Sequence, residues 1–222
     1  MSTTPFDLQL LNTCAALLLL LSFAMLSQRR VVSLVNLLAL QGVLLCVATL
    51  LLAWRTGQSH LYLSAGLTLG LKVVFLPWLL HRLIRRLAVY WDTEPLLNIG
   101  GTMILGLLIV VFAFGLAQPI TELANTATKS AIGIAVAVIL LAFLMMITRR
   151  KAMSQVVGFL SMENGLFFGA MSATYGMPMV VELGVALDVL VAMLVLGVFF
   201  FQIREQFDSL DLYHLESLRE DE

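Results

Sequence analysis

Long apolar runs, separated by short polar segments, occupy most of this chain of 222 residues. Each run holds about 20 residues, the length that an α-helix needs to cross the hydrocarbon core of a bilayer. Because a backbone in lipid must satisfy its own hydrogen bonds, such runs are predicted to be helices. The pattern predicts seven membrane-spanning helices, at approximately Leu8–Leu26, Val31–Ala53, His60–Leu80, Asn98–Ala117, Ser130–Thr148, Ala152–Thr174 and Met179–Ile203.

The composition of the chain is that of an integral membrane protein. Apolar residues make up 60% of the chain and charged residues only 12%, and the mean hydropathy is +0.98. A soluble domain needs more charge on its surface, so we expect an all-α protein embedded in a lipid bilayer. Residues 1–203 are predicted to form a single transmembrane domain, followed by a tail at 204–222. No basic patch with interleaved aromatic residues is evident, which argues against nucleic acid as a partner.

Basic residues are concentrated in alternate loops. Ten basic residues follow the odd-numbered spans, in the loops and the tail. Only Arg55 and Lys129 lie in the other set of loops, which follow the even-numbered spans. Because loops rich in arginine and lysine stay in the cytoplasm, the N-terminus is predicted to be outside and the C-terminus in the cytoplasm. The residues on the basic side are Arg29, Arg30, Arg82, Arg85, Arg86, Arg149, Arg150, Lys151, Arg204 and Arg219.

Ionisable residues interrupt three of the predicted spans. Lys72 lies within the third span, Glu163 near the middle of the sixth and Asp188 near the middle of the seventh, while Glu182 lies closer to the outer end of the seventh. A charged side chain at the centre of a bilayer costs roughly 3 kcal/mol on insertion scales. Such residues therefore pair with each other, face a wet interior, or move charge.

Two interpretations of these residues stay open, and they are compatible. In the structural one, Lys72 forms a permanent ion pair with Glu163 or Asp188, and the acids hold helices together. In the functional one, Glu163, Asp188, Lys72 and, to a lesser degree, Glu182 take up and release protons, because burial disfavours their charged forms. Pro77 is expected to loosen the helix beside Lys72.

Residues that bind redox cofactors or metals are not grouped in the sequence. Cys14 and Cys46 lie in separate apolar runs, and two thiolates cannot hold an iron–sulfur cluster, which needs about four ligands. His60, His81 and His214 are far apart in the sequence and do not indicate a haem or zinc site. We therefore expect no bound cofactor or metal.

The first three and the last three predicted spans share a pattern. In each triplet an Arg-Arg turn is followed by a helix with an amide–glycine pair near mid-membrane, Gln41-Gly42 in one and Asn164-Gly165 in the other. Both triplets would run in the same direction, so the pattern indicates a parallel three-helix duplication. The units would be residues 1–86 and 128–203, separated by a linker helix region at 87–127.

The tail differs from the rest of the chain. It holds seven acidic residues, and its apolar side chains recur at roughly helical spacing. Acidic residues disfavour an anionic membrane surface, so we expect either docking on a cytoplasmic partner or partial disorder. The apolar positions are Phe207, Leu210, Leu212, Leu215 and Leu218.

Three groups of residues together resemble component E of hydrogenase-4. They are the run Met162-Glu163-Asn164-Gly165, the pattern Glu182-x-Gly184-x-Ala186-x-Asp188, and Lys72 followed by Pro77. That family is a membrane subunit of complex-I-like, energy-converting nickel–iron hydrogenases and formate hydrogenlyases. The last three spans also resemble the small K subunit of bacterial complex I. By this resemblance Glu163 and Asp188 correspond to its two intramembrane glutamates, with aspartate replacing glutamate at 188.

The resemblance implies a cofactor-free, non-catalytic subunit of an oxidoreductase complex in the bacterial cytoplasmic (inner) membrane. The implied partners are antiporter-like membrane subunits and the subunit nearest the quinone or the hydrogenase. Within such a complex the buried ionisable residues would carry protons or other cations and the subunit would link its neighbours. The alternatives are a secondary transporter, alone or within an antiporter complex, and a purely structural spacer whose charges stay paired.

Overall fold

Apolar sequence and helix coincide along the described part of the chain. The computed structural model describes residues 5–57, 59–87, 98–122 and 126–174, together with Gly197. Within these ranges the chain is helical and contains no strand. The elements are α1 (Pro5–Ser27), α2 (Val31–Thr56), α3 (Ser59–Thr68), a π-helix (Leu69–Phe75), α4 (Leu76–Leu87), α5 (Ile99–Glu122), α6 (Thr126–Thr148) and α7 (Ala152–Thr174).

Six helical segments among the described residues are long and apolar enough to cross a membrane. They match the first six predicted spans to within a few residues, and these predictions are confirmed as helices of membrane-spanning length. The seventh predicted span, with Glu182 and Asp188, and the acidic tail lie outside the described residues, apart from Gly197. Orientation and duplication remain predictions. The six segments are Gln9–Ser27, Val31–Thr56, Leu61–Arg85, Ile99–Gln118, Ser130–Thr148 and Ala152–Thr174.

The third span is a continuous helix that widens in its middle. The π-helix Leu69–Phe75 joins α3 to α4, and the backbone N–H of Leu76 donates to the carbonyl of Leu71, five residues earlier. Pro77 gives the physical reason. A proline ring clashes with the carbonyl four residues before it and has no N–H to donate, so an α-helical turn is disfavoured there. The perturbation expected beside Lys72 is thus a π-helix, a feature often found at functional sites.

Helices α6 and α7 form the most extensive helix pair in the described region. Glycines on α7 allow this contact, because a Cβ atom at Gly158 would lie 2.8 Å from Met146 Cγ and one at Gly165 would lie 3.0 Å from Val138 Cγ1. As the chain advances along α7, the contacts move back along α6, so the two helices are antiparallel. Small residues at such an interface let two backbones approach closely in a membrane.

The bundle has two chemically different ends. Helices joined by short turns run antiparallel, and Arg149 joins two of the helix ends directly, since its Nη2 donates to the carbonyls of Leu26 at 3.0 Å and Gln28 at 2.6 Å. We call the end of the bundle where this contact lies the arginine end. Its basic residues are Arg29, Arg30, Arg82, Arg85, Arg149, Arg150 and Lys151.

The opposite end is named the Gly57 end. There α2 ends at Gly57, which has a left-handed φ of 66° and donates its N–H to Ala53 at 2.9 Å. Glycine adopts this conformation without the steric cost that other residues meet. The turn leads into α3, which begins at Ser59.

Candidate functional site

A buried ion pair joins the third and sixth spans. Lys72 Nζ, on the π-helix, lies 2.7 Å from Glu163 Oε1, and the two side chains are 4% and 1% exposed. Glu163 is the central residue of α7 (Ala152–Thr174), so the pair lies near mid-depth of the bundle. At this depth each charge would be costly alone, and each supplies the other's counter-ion.

The lysine has two further contacts. Its Nζ donates to Asn164 Oδ1 at 3.1 Å, and it lies over the ring of Phe167, 5.3 Å from the centroid. An ammonium group has three protons to donate, and the negative face of an aromatic ring also attracts it. All these contacts come from α7, so this helix holds the lysine head group on two sides.

A chain of uncharged polar groups continues from Asn164 to α1. Asn164 Nδ2 donates to Gln41 Oε1 at 3.4 Å, and Gln41 Nε2 donates to Ser22 Oγ at 3.0 Å. The Ser22 hydroxyl in turn donates to the carbonyl of Leu18 at 3.0 Å. Asn164, Gln41 and Ser22 are all buried. The chain links α1 and α2 to the ion pair, and we call it the amide arm.

The two parts of this network differ in what they can do chemically. At 2.7 Å a proton can pass between Lys72 Nζ and Glu163 Oε1, which converts an ion pair into a neutral pair. The amide arm has no such capacity, since Gln41 and Asn164 neither gain nor lose a proton near neutral pH and the arm ends on a backbone carbonyl. The arm therefore helps to fix the position of the lysine, whereas the ion pair is the part of the described network whose groups can exchange a proton.

Close helix packing explains how α2 reaches the lysine. A Cβ atom at Gly42 would lie 3.3 Å from both the Cβ and the carbonyl oxygen of Lys72. A larger side chain there would require the π-helix to move by at least a few tenths of an ångström, so Gly42 allows the close approach of α2 to Lys72. The second amide–glycine pair works in a similar way, since Asn164 joins the network while Gly165 packs on α6.

A small cavity adjoins the ion pair. Its volume is about 10 Å³, close to the roughly 10–15 Å³ that a single water requires. The lining residues are Leu38, Lys72, Leu76, Leu160, Glu163 and Asn164. A larger open groove of about 620 Å³ runs along the exposed face of α1 from Gln9 to Leu20, and it has no ionisable lining residue among those described.

The structure places Lys72 in the interior and pairs it with Glu163, one of the two acids that the sequence offered as its partner. Asp188 and Glu182 lie outside the described residues. In the part of the chain that is described, no group of three or more His, Cys, Asp or Glu side chains is arranged to hold a metal ion. The buried cysteines, Cys14 and Cys46, are free thiols.

Sequence reasoning missed several members of the network. Gln41 and Asn164 were noticed only as part of a repeated pattern, although an amide at mid-membrane also needs a partner. Ser22 and Phe167 gave no signal, because serine and phenylalanine are common in membrane helices. Arg149 was counted only toward orientation, yet it is buried and bonds the end of α1.

Comparison with known proteins gives two kinds of relative. The chain is 26% identical over 148 residues to hydrogenase-4 component E of Escherichia coli K12 and of Shigella flexneri, covering 67% of this chain and 68% of each of those proteins. This distant similarity gives the resemblance to component E weak support. No family model and no solved structure matches the chain.

A second relative aligns along the whole chain. It is an uncharacterized protein of Mycobacterium tuberculosis, Rv0085, which is 35% identical over 221 residues, and the alignment covers 99% of this chain and 100% of that protein. Identity of this extent, from the first span to the tail, indicates common descent. The chain therefore belongs to the same family as Rv0085.

Proposed function

We propose that the protein is a cofactor-free membrane subunit of a complex-I-like hydrogenase or related oxidoreductase complex, and that its buried ionisable residues contribute to a path for protons or other cations. The observation that carries the proposal is the Lys72–Glu163 ion pair at the centre of the bundle. Six described helices of membrane-spanning length and the distant similarity to hydrogenase-4 component E both fit a subunit of this kind.

The ion pair suits this role because of its charge balance. With Lys72 protonated and Glu163 ionised, the two charges of the pair balance each other; a proton added to Glu163 removes the negative charge beside Lys72 in a medium of low polarity. Arrival of a proton at Glu163 therefore favours release of another from the site. We propose Asp188 as the next group on the path and Glu182 as a group of lesser importance near the outer surface.

The surroundings of the subunit follow from the same proposal. The protein would lie in the bacterial cytoplasmic (inner) membrane, with the N-terminus outside and the tail of residues 204–222 in the cytoplasm. Its neighbours would be antiporter-like subunits and the membrane subunit nearest the hydrogenase or quinone site. The subunit would link these neighbours while carrying no redox group itself.

Two other functions can be distinguished from this one by experiment. A secondary transporter, alone or in an antiporter complex, would move its ion without any oxidoreductase partner. A structural spacer would use the ion pair only to hold helices together, and the amide arm, which fixes Lys72 in place, favours this alternative. Purification from native membranes in mild detergent, followed by identification of the associated proteins, distinguishes the transporter from the complex subunit.

The spacer is tested with variants that remove a titrating proton and keep side-chain size. In the complex reconstituted into vesicles, Glu163→Gln should leave assembly intact and lower proton translocation per turnover at least tenfold. The double variant Glu163→Gln, Asp188→Asn should do the same. Thr148→Val is the matched control, because it removes a buried hydroxyl that bonds only within its own helix. Unchanged translocation in the double variant would leave the spacer as the function.

A further inference from the structure

The second and third spans differ in polarity on either side of the ion pair. Toward the Gly57 end, buried hydroxyls lie on the helices that carry the site: Thr68 and Ser64 on α3, Thr49 on α2 and Ser172 on α7. Toward the arginine end, the buried residues of α2 and α4 in the described structure are apolar. On the second and third spans the site thus adjoins a hydroxyl-containing half and an apolar half, whereas α7 also carries buried serines, Ser161 and Ser154, toward the arginine end.

Ser64 and Thr68 lie on the same face of the third span as Lys72. The three residues are spaced four apart and are 1%, 3% and 4% exposed. In an α-helix every fourth residue drifts by about 40° around the axis. The π-helix begins at Leu69, and its wider turn rotates less per residue, which offsets the drift and keeps Lys72 in line with Ser64.

The hydroxyl of Ser64 has no hydrogen-bond partner among the described residues, although the side chain is almost fully buried. The buried hydroxyl of Ser172 on α7 likewise has no hydrogen-bond partner among the described residues. A buried hydroxyl without a partner is unfavourable, and a bound water is the usual means of satisfying it. Thr49 differs, because its hydroxyl already donates to the carbonyl of Leu45 at 2.8 Å.

Three leucines bound the site toward the arginine end. Leu38, Leu76 and Leu160 line the small cavity and lie one turn beyond Gln41, Lys72 and Asn164 on their respective helices. The next turn is also apolar and fully buried, with Leu34, Leu80 and Val157. The first layer leaves room for about one water at most, and the fully buried apolar layer beyond it excludes water and so opposes the passage of ions.

We propose that the ion pair is hydrated from the Gly57 end, through water bound along the α3 face at Ser64 and Thr68, and that Leu38, Leu76 and Leu160 close the site toward the arginine end. On the Gly57 side of the ion pair, the ring of Phe167 occupies the space beside α7, so the water follows α3. Under the proposed function, on which this role in proton transfer rests, protons reach Glu163 by this route. Each water passes one proton forward as it accepts another, and the serine and threonine keep their own.

Accessibility of single cysteines to a water-soluble thiol reagent tests the route. In a Cys14→Ala, Cys46→Ala background, cysteines are placed at Ser64 and Thr68 on the route and at Leu76 and Leu160 beyond it. Ser154→Cys is the matched control, because its hydroxyl is also buried without a described partner but lies toward the arginine end, away from the proposed route. The probe is a small, membrane-impermeant cationic methanethiosulfonate, applied to one membrane face at a time.

Ser59→Cys and Arg29→Cys, both at exposed positions, identify the faces of the Gly57 end and the arginine end. We expect Ser64→Cys and Thr68→Cys to react from the Gly57 face at least tenfold faster than Ser154→Cys, Leu76→Cys and Leu160→Cys react from either face. Ser64→Cys and Thr68→Cys change the size of the side chain little. Because two positions on the route are tested, a folding defect in one variant leaves the other to test the proposal.

Two outcomes would overturn the proposal. One is faster reaction of Leu76→Cys or Leu160→Cys from the arginine face; the other is no difference between Ser64→Cys, Thr68→Cys and the Ser154→Cys control. Labelling needs no ion transport, so this result is independent of the Glu163→Gln experiment. If the function and the route are both right, Ser64→Val should also slow coupled translocation several-fold, while Ser154→Val should not.

Discussion

Helices α7 and α5 are both long enough to cross a membrane, and they have opposite surroundings. In α7, which contains Glu163 and Asn164, 61% of the residues in the apolar stretch are buried within the protein, against 17% in α5. The apolar stretch of α5 contains no charged residue, and bulky side chains such as Val111 and Phe112 are more than half exposed. The helix with the more polar sequence is thus the interior one.

The difference follows from the bilayer acting as the solvent. An apolar side chain gains little by moving from lipid to the protein interior, because both surroundings are apolar. An ionisable or amide side chain gains much, because only the interior offers partners. This accounts for the interior position of α7, whereas α6, which is more apolar than α5, is 56% buried because it packs against α7. Glycine shows the same contrast, since Gly165 of α7 packs against α6 whereas Gly115 of α5 faces open space.

The largest expected effect comes from breaking the ion pair. Glu163→Ala leaves Lys72 buried without this counter-ion, and we expect the free energy of unfolding to fall by about 3–5 kcal/mol. On α5, Phe112→Ala removes a larger side chain from a lipid-facing position and should change it by less than about 0.5 kcal/mol. Titration of the purified protein with a denaturing detergent in mixed micelles measures both.

A double variant checks the cause of that loss. Lys72→Met combined with Glu163→Leu removes both charges and should recover most of the stability lost in Glu163→Ala, because both members of this ion pair are gone. Equal destabilisation by Glu163→Ala and Phe112→Ala, or no recovery in the double variant, would show that burial of charge does not distinguish α7 from α5.

An intermediate effect is expected from the glycines. A Cβ atom at Gly165 would meet Val138 Cγ1 at 3.0 Å, so Gly165→Val should overpack the α6–α7 contact and lower the free energy of unfolding by about 1–3 kcal/mol. Gly115→Val makes the same change on α5 with no neighbour within 4 Å. In the same detergent titration, Gly115→Val should leave the free energy of unfolding nearly unchanged. A comparable loss of stability in both variants would contradict the packing difference.

The smallest effect is expected from the far end of the amide arm. Ser22→Ala removes the acceptor of the Gln41 amide, and interhelical hydrogen bonds in membranes contribute about 0.6 kcal/mol on average. Thr102→Ala is the control on α5, since that hydroxyl bonds only to Asn98 in the preceding turn. A double-mutant cycle of Ser22→Ala with Gln41→Leu isolates the interaction, and a coupling energy of zero would remove Ser22 from the network.

Much of the architecture could be predicted because it depends on local properties of the chain. The first six spans were located correctly, since the length of an apolar run is readable without knowing its neighbours. The same holds for the need of Lys72 to find a carboxylate or a wet cavity, which follows from its depth alone. The disturbance near Lys72 was predictable too, because Pro77 removes an N–H wherever its helix lies.

Other features depended on how the helices pack together. The sequence offered both Glu163 and Asp188 as partners of Lys72, and the contact with Glu163 became visible only through the close approach of α7 to the π-helix. The roles of Ser22 and Arg149 also depend on packing. Ser22 bonds Gln41 on a neighbouring helix, and Arg149 bonds residues more than 100 positions away in the chain.

The physical reason is the range of the interactions involved. Insertion of a helix is governed by transfer free energies that add up residue by residue along one segment, so the sequence determines it by itself. Which polar groups meet depends on helix rotation and spacing, and these are set by contacts between segments far apart in the chain. At Gly42 and Gly165 the absence of a single side chain fixes that spacing, and its consequence for Lys72 exists only in the folded bundle.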